Sequence, residues 1–253
     1  MILNRIGNKR KVAGKIMPQF PKHNFYIEPF FGAGGMFFSK PKATYNIMND
    51  LDSDVFNLYQ VLQNQKMELY TAIYEMPIHF DLLAFWKKNK ETEPVKKAVR
   101  FLLLSNFTFL GEGDALRLGI SNQKKILLSL IDKTNMLISD VLFSNKDFEY
   151  FINSIALRDE KGKEGAFIYC DPPYIGTADN YENSFKEADF VRLLECLIAK
   201  GTKFAVSEFD SDFVVDTAKS KGLNITTIGE RQNLKNRRTE ILITNYENNN
   251  TLF

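Results

Sequence analysis

The sequence has few of the residues that build covalent or metal-held frameworks. Its 253 residues include 2 cysteines, Cys170 and Cys196, and 2 histidines, His23 and His79. Two cysteines cannot build a disulfide framework, and no Cys/His spacing typical of a metal site occurs. Neither histidine has a suitably placed serine or cysteine nucleophile, so both are interpreted as structural. We therefore expect a chain without bound metal in a reducing, cytoplasmic setting.

Long apolar runs and a strong net charge are also lacking. No run approaches the roughly 18 apolar residues of a membrane span. The basic start, residues 1–15, has no apolar segment of signal-peptide length behind it. The sequence therefore predicts no membrane association. The net charge is only +2, so the charge of the whole molecule is no argument for nucleic acid, although a local basic patch could still bind it.

Patterns of strands and helices alternate at both ends of the chain. Apolar runs typical of buried strands occur at 25–27, 45–48, 140–143, 166–170, 202–207, 223–228 and 240–246. Alternation predicts an α/β fold, a parallel sheet covered by helices. We expect a core of residues 1–58 and 140–253 with a mostly helical insertion, residues 59–139. Inside the insertion, Pro94 is well placed for the first turn of a helix, and residues 111–123 resemble a loop.

A glycine-rich turn, FFGAGGMFF, follows the first strand pattern at residues 30–38. Gly32 and Gly34 permit a tight turn and a close approach of the backbone to a ligand. The third glycine of a dinucleotide-binding fingerprint would fall at position 37, which is Phe37. This disfavours binding of a pyrophosphate and therefore a nicotinamide-dependent oxidoreductase. Asp50 ends the next strand pattern, where an acid would bind ribose hydroxyls. A nucleoside without pyrophosphate suggests S-adenosylmethionine, although a mere strand–helix turn remains an alternative.

A second motif, IYCDPPYIGT at residues 168–177, ends another strand pattern. Pro172 and Pro173 lack amide donors, so the strand must stop and Asp171 lies at its carboxyl end, where open α/β sheets bind ligands. The Asp171 carboxylate and the Pro172 carbonyl are both acceptors. They could accept hydrogen bonds from the two N–H groups of an exocyclic amine. The lone pair of that nitrogen would then be free to attack the methyl group of a sulfonium. Tyr174 offers a face on which an extruded base can stack.

Residues 171–174 (DPPY) form a quartet within this second motif. The glycine turn and this quartet, in this order and spacing, resemble the Dam-like family of DNA adenine-N-6 methyltransferases. Residues 6–9 (IGNK) are similar to the family's amino-terminal cofactor motif, and residues 145–148 (NKDF) to its segment contacting the cofactor's adenine. Residues 239–246 (TEILITNY) are similar to its closing strand. The resemblance covers roughly residues 4–58 and 140–246. It implies a Rossmann-like, S-adenosylmethionine-dependent core with an inserted target-recognition domain, acting by base flipping and direct displacement.

The resemblance also implies roles for individual residues. The catalytic residues would be Asp171, Pro172, Pro173 and Tyr174. The cofactor-binding residues would be Arg5, Gly7, Lys9, Glu28, Pro29, Phe30, Gly32, Gly34, Asp50, Asp147, Phe148 and Asp171. Arg5 departs from the pattern, because the family usually has an aromatic residue there. S-adenosylhomocysteine would be the product, with no metal involved.

The segment expected to read the DNA sequence departs most from the family. Residues 105–119 (SNFTFLGEGDALRLG) stand where GATC-recognising relatives have an Asn-Arg-Tyr-Gly-like run followed by a hairpin ending in Pro-Phe-Gly. GATC specificity is therefore not carried over. The candidate DNA contacts are Arg117, which could reach a guanine edge, and the basic residues Lys124, Lys125, Lys235, Arg237 and Arg238.

The acceptor of the methyl group stays open at this point. Adenine in duplex DNA is expected, and the alternatives are a cytosine amino group, an adenine in RNA, or a catalytically silent cofactor-binding or DNA-binding relative. The intact quartet argues against a silent protein. The expected partners are double-stranded DNA and a cognate restriction endonuclease, and we expect a monomer.

Overall fold

The computed structural model describes residues 1–3, 7–108, 115–116, 120–157, 159–175, 185–232 and 237–247. The strands among them are β1 (Phe25–Glu28), β2 (Tyr45–Asn49), β3 (Leu142–Ser144), β4 (Ala166–Cys170), β5 (Lys203–Phe209), β6 (Asn224–Gln232) and β7 (Arg237–Thr244). The helices are α1 (Ala13–Ile16), α2 (Ser53–Asn64), α3 (Lys66–Glu75), α4 (Phe80–Lys88), α5 (Pro94–Asn106), α6 (Ile120–Ile138), α7 (Phe148–Ser154), α8 (Glu160–Glu164), α9 (Glu187–Lys200) and α10 (Asp212–Ser220).

The chain divides into two compact units. The first consists of Met1–Lys9, Gly32–Phe38 and Asp50–Asn145, and the second of Arg10–Phe31, Ser39–Asn49 and Lys146–Phe253. The expected insertion, residues 59–139, falls within the first unit. Its division from a core of residues 1–58 and 140–253 stays a prediction.

Within a seven-stranded sheet, the six strands of the second unit lie in the order β2-β1-β4-β5-β7-β6. Strand β1 pairs in parallel with β2 and β4, and β4 pairs in parallel with β5, which confirms the α/β class. Strand β7 is antiparallel to both β5 and β6, so the expectation of a parallel sheet is wrong for this strand. Its four-residue connection from β6 is too short for the crossover that a parallel return requires.

The register of β1 and β4 brings two loops to one edge of the sheet. Ile27 lies opposite Ile168, so the segments that follow Glu28 and Cys170 leave the sheet side by side. All five residues of β4 are buried, as expected for a parallel strand covered on both faces. Helix α9 provides part of that cover with the apolar stripe Phe190, Leu193, Leu194 and Leu197.

Several local expectations can be compared with the structure. Pro94 begins α5, as expected. Helix α6 begins at Ile120, inside the stretch 111–123 that was expected to be a loop. Both thiols, Cys170 and Cys196, are buried and free. Among the described residues, no helix has both the length and the apolar character needed to cross a membrane.

Asn49, the last residue of β2, fastens the loops at the carboxyl edge of the sheet. Its side chain is 1% exposed, and its Nδ2 donates to the carbonyls of Pro29 at 3.0 Å and Lys146 at 2.9 Å. Its Oδ1 accepts from the Lys146 amide at 3.0 Å. One buried side chain therefore holds both the loop that carries Phe30 and the loop that carries Asp147.

We predict that Asn49→Ala lowers the free energy of unfolding by roughly 2–4 kcal/mol, because three hydrogen bonds are lost and largely buried backbone groups are left unsatisfied. Urea denaturation measures the loss. Asn57→Ala is the matched control, because that amide makes one exposed hydrogen bond, to the Pro94 carbonyl at 2.9 Å, and should cost less than about 1 kcal/mol. Equal losses for the two variants would contradict the role given to Asn49.

Candidate active site

The glycine turn and Asp50 are joined by a short hydrogen bond in the first unit. The Gly32 amide donates to Asp50 Oδ2 at 2.6 Å, and the Asp52 amide donates to Asp50 Oδ1 at 2.9 Å. The Asn145 side chain donates to the Asp50 carbonyl at 2.7 Å. Asp50 is thus held in one orientation by the backbone of the glycine turn and of the following loop.

Gly32 has an unusual backbone conformation and open space around it. Its φ is +50°, in the left-handed region, and that of Gly34 is +69°. Among the described residues, and apart from its own chain neighbours, a Cβ built on Gly32 would meet no atom within 4 Å. Packing of the protein therefore does not demand glycine here, and the space can admit a ligand close to the backbone.

The amino-terminal candidates are only partly described. Arg5 lies outside the described residues. Gly7 has a φ of +89° and open space beside it. Lys9 is 2% exposed, and a lysine this buried needs a polar partner. The cofactor roles of these residues stay predictions.

In the second unit, β1 ends with a buried acid. Glu28 is 2% exposed and accepts a hydrogen bond from the Tyr26 hydroxyl at 3.0 Å. The Lys40 ammonium lies 4.1 Å from the centre of the Tyr26 ring. Burial lowers the pKa of Lys40 to about 8, and the nearby Glu28 carboxylate opposes this shift. The Pro29 carbonyl already accepts from Asn49, so its described role is structural.

Asp147 and Phe148 are positioned by an arginine that sequence reasoning missed. Asp147 caps α7 by accepting from the Glu149 amide at 3.0 Å. The two terminal nitrogens of Arg192 donate to the two Asp147 oxygens, both at 3.1 Å, and the guanidinium lies 4.3 Å from the centre of the Phe148 ring. The Phe30 ring packs 5.5 Å from Phe148. The structure thus brings three expected cofactor residues together, with Arg192 covering one face of Phe148.

The quartet of residues 171–174 begins directly after β4 and is attached to the sheet through Tyr174. The Tyr174 hydroxyl donates to Glu240 Oε1 at 3.1 Å, and its ring meets Phe209 edge-on with centroids 4.4 Å apart. The Ile175 amide donates to Glu208 Oε2 at 3.3 Å. Both glutamates are 1% exposed. Neither was singled out from the sequence, although an acid inside an apolar strand pattern was a visible signal.

Of the expected DNA contacts, Arg117 and Lys235 lie outside the described residues, as does the Arg237 side chain. The Arg238 guanidinium lies 5.4 Å from the centre of the Phe209 ring. It therefore adjoins the ring that packs on the quartet's tyrosine.

The two lysines of α6 differ in their surroundings. Lys124 donates to the Met76 carbonyl at the carboxyl end of α3, at 2.8 Å, whereas Lys125 is exposed. Their contacts with DNA stay predictions.

Comparison with known proteins decides the family. Residues 6–234 match the model of the D12 class N6 adenine-specific DNA methyltransferases. The chain belongs to this family. It is 24% identical to the type II methyltransferase M1.LlaDCHI of Lactococcus lactis subsp. cremoris, over 96% of this chain and 94% of that protein. It is 23% identical to the DNA adenine methylase of Escherichia coli (strain K12), over 81% of this chain and 79% of that protein.

A solved structure was also compared with this D12 class methyltransferase. The rRNA methyltransferase AviRa from Streptomyces viridochromogenes aligns with a TM-score of 0.42 and 11% identity, over 92% of this chain and 82% of that one. A TM-score this low does not support an assignment of the fold, which rests on the strand order of the sheet.

Family membership confirms the resemblance seen in the sequence and fixes the reaction. A D12 class enzyme methylates N6 of adenine in DNA, so this methyltransferase is an enzyme whose substrate is DNA. The cytosine, RNA and catalytically silent alternatives are not favoured. The roles of single residues are a separate matter and stay predictions.

We predict different effects for the two lysines of α6. Lys125→Ala should weaken DNA binding alike for all sequences and reduce the slope of log affinity against log salt by about 1. Lys124→Ala should in addition lower stability by about 1 kcal/mol, because the Met76 carbonyl loses its donor. Anisotropy titrations at several salt concentrations and thermal melts test this. An unchanged salt slope for Lys125→Ala would remove that residue from the DNA contacts.

Proposed function

We propose that this enzyme transfers the methyl group of S-adenosylmethionine to the 6-amino group of an adenine flipped out of duplex DNA. The observation that carries the proposal is the quartet itself. Asp171 and Pro172 follow β4 at the carboxyl edge of the sheet, and the Tyr174 ring beside them is fixed by Glu240 and Phe209. This edge offers acceptors and an aromatic face, which are the two features that a flipped adenine requires.

The acceptors match the chemistry of the adenine amine. Its lone pair is delocalised into the ring, so the free base attacks a methyl group poorly. When the Asp171 carboxylate and the Pro172 carbonyl accept hydrogen bonds from its two N–H groups, the nitrogen is held pyramidal. Its lone pair is then available to attack the methyl group. Catalysis then consists mainly of positioning and of placing acceptors.

The methyl transfer is a direct displacement and needs no covalent enzyme intermediate. When bound, S-adenosylmethionine would supply an electrophilic methyl sulfonium. Transfer would exchange the bond between sulfur and the methyl carbon for a bond between N6 and that carbon, with S-adenosylhomocysteine as the leaving group. The methylated amine is acidic and loses one proton to water, so Asp171 need not act as a formal base.

The residues of the glycine turn fit a nucleoside cofactor. Asp50 is held by two backbone amides and would accept from the ribose hydroxyls, while Gly32 would allow close approach. Asp147 and Phe148 would contact the adenine of the cofactor. For Asp147 this role is supported by its fixed orientation against Arg192. For Phe148, contact through an edge is favoured, because Arg192 covers one of its faces.

The biological setting is also a proposal. The similarity to a type II methyltransferase along nearly the whole chain supports a restriction–modification system in which a cognate endonuclease cuts the same site. A monomer in a reducing cytoplasm remains our expectation. The recognition sequence follows from mapping modified bases in the DNA of a host that expresses the protein.

The reaction is tested with S-adenosylmethionine carrying a labelled methyl group and duplex DNA of mixed sequence. After digestion to nucleosides, the label should be found in N6-methyladenine. Label in N4-methylcytosine, or label in a parallel RNA substrate but none in the DNA, would contradict the proposal.

We predict that Asp171→Ala lowers kcat on the order of 100- to 1000-fold, as does the loss of one preorganised polar contact in other enzymes. The fold should be kept, and cofactor affinity should fall less than kcat. Asp210→Ala is the matched control, because Asp210 is an exposed acid directly after the neighbouring strand β5, and it should keep the normal rate. Near-normal turnover by Asp171→Ala would remove that residue from the mechanism.

We predict that Gly32→Ala weakens binding of S-adenosylmethionine by about tenfold or more, a change of about 1.4 kcal/mol. Gly222→Ala is the control, because Gly222 also has a positive φ, +69°, and an added Cβ there would meet no atom of the described residues beyond its chain neighbours within 4 Å. Both variants should lose about 1–2 kcal/mol of stability from backbone strain. Calorimetric titration should show weaker binding for Gly32→Ala alone, and equal affinities would exclude Gly32 from the cofactor site.

A further inference from the structure

One cross-strand pair holds the tyrosine of the catalytic quartet. Phe209 on β5 and Glu240 on β7 are direct partners in the antiparallel register. Glu240 Oε1 accepts from the Tyr174 hydroxyl at 3.1 Å, and the Phe209 ring packs against the Tyr174 ring at an interplanar angle of 78°. The hydrogen bond fixes the far end of the side chain and the ring contact fixes its plane. The sheet therefore determines the orientation of Tyr174.

The next residue of the chain is fixed by a second glutamate. Glu208 Oε2 accepts from the Ile175 amide at 3.3 Å, and its Oε1 accepts from the Phe209 amide at 2.8 Å. The backbone that leaves the quartet is thus tied to β5, while the tyrosine ring is tied to β7 through Glu240. Both anchors lie on the strand pair at one side of β4.

Burial makes these two acids unusual for their positions. Glu208 and Glu240 are each 1% exposed, and the residues that follow Glu240 on β7, Ile241, Leu242 and Ile243, are buried and apolar. A buried carboxylate costs free energy unless its hydrogen bonds compensate. An apolar residue would therefore suit the sheet better, and the acid is explained by what it holds.

We propose that Glu240 is a positioning residue for methyl transfer, acting through Tyr174 and supported by Phe209 and Glu208. This inference rests on the proposed function, in which Tyr174 is the face for the flipped adenine. Stacking requires the ring to stand in one plane, and a ring already held there loses little freedom when the base arrives. The bond to Glu240 should raise the fraction of bound adenines in reactive geometry. It should leave cofactor binding unchanged.

The test is a double-mutant cycle on initial rates of methyl incorporation into mixed-sequence duplex DNA, at saturating cofactor and DNA. Tyr174→Phe keeps the ring and removes the hydroxyl, and Glu240→Ala removes its acceptor. Each should lower kcat on the order of tenfold to a hundredfold, as small misplacements of reacting groups do. The double variant should be no slower than the slower single variant, because both remove the same hydrogen bond. Glu240→Gln keeps an acceptor oxygen and should recover most of the rate.

Tyr169→Phe is the matched control. Tyr169 lies on β4, the strand that leads into the quartet. Its hydroxyl is buried and forms a hydrogen bond with Ser207 Oγ at 2.8 Å. Its loss should lower the melting temperature and leave kcat and the KM for DNA unchanged. Cofactor affinity, measured by calorimetry, should be the same in every variant.

Three results would overturn the inference: a normal kcat for Tyr174→Phe, losses that multiply in the double variant, or a Glu240→Gln rate as low as that of Glu240→Ala. Tyr174→Phe and Glu240→Gln still decide the matter if Glu240→Ala does not fold. Failure of the unmodified enzyme to methylate adenine would instead contradict the proposed function, so the two failures are distinguishable.

Discussion

The parallel register of β1 and β4 is the constraint on which the candidate site depends. Because Ile27 lies opposite Ile168, the segments after the two strands emerge at the same edge of the sheet. Each segment meets proline at once, at Pro29 in one and at Pro172 in the other. Proline has no amide to donate, so strand pairing stops in both segments. The Pro29 carbonyl accepts from Asn49, and the acceptors that we propose for the amine are the Asp171 carboxylate and the Pro172 carbonyl.

Buried and half-buried polar side chains keep this edge rigid. Asn49 fixes the loops that carry Phe30 and Asp147, Arg192 fixes the Asp147 carboxylate, and Glu240 fixes the tyrosine of the quartet. Each spans two segments far apart in the chain. Hydrogen bonds between such segments specify one arrangement, whereas apolar packing alone would permit several. The enzyme's chemistry consists largely of positioning, so this rigidity is part of the mechanism that we propose.

Local signals in the sequence predicted much of the fold. Prolines ended β4 and began α5 where expected, and the alternation of strands and helices gave the α/β class. The family was also predictable, because several motifs occur in a fixed order. The antiparallel direction of β7 was not predicted. The prediction of a parallel sheet from alternating strands and helices was applied to this strand as well, although only four residues connect it to β6. The early start of α6 at Ile120 was also missed.

Non-local contacts could not be predicted from one sequence. Glu240 bonds to a tyrosine 66 residues earlier, and Arg192 bonds to an aspartate 45 residues earlier. Neither pairing has a local pattern, because both depend on which strands and helices become neighbours. The acids in β5 and β7 were visible as exceptions to apolar runs, but their partners were not. Roles carried by motifs, such as those of Asp50 and Asp171, stay predictions until variants are measured.

The central claim is that the quartet binds a flipped adenine through its amine and its ring. The most direct measurement is a crystal structure of the enzyme with S-adenosylhomocysteine and an unmethylated duplex that contains its recognition site. The account predicts the target adenine outside the helix, with N6 about 3 Å from both the Asp171 carboxylate and the Pro172 carbonyl and its ring stacked on Tyr174. An adenine still paired in the duplex, or an extruded adenine whose N6 bonds to other groups, would contradict it.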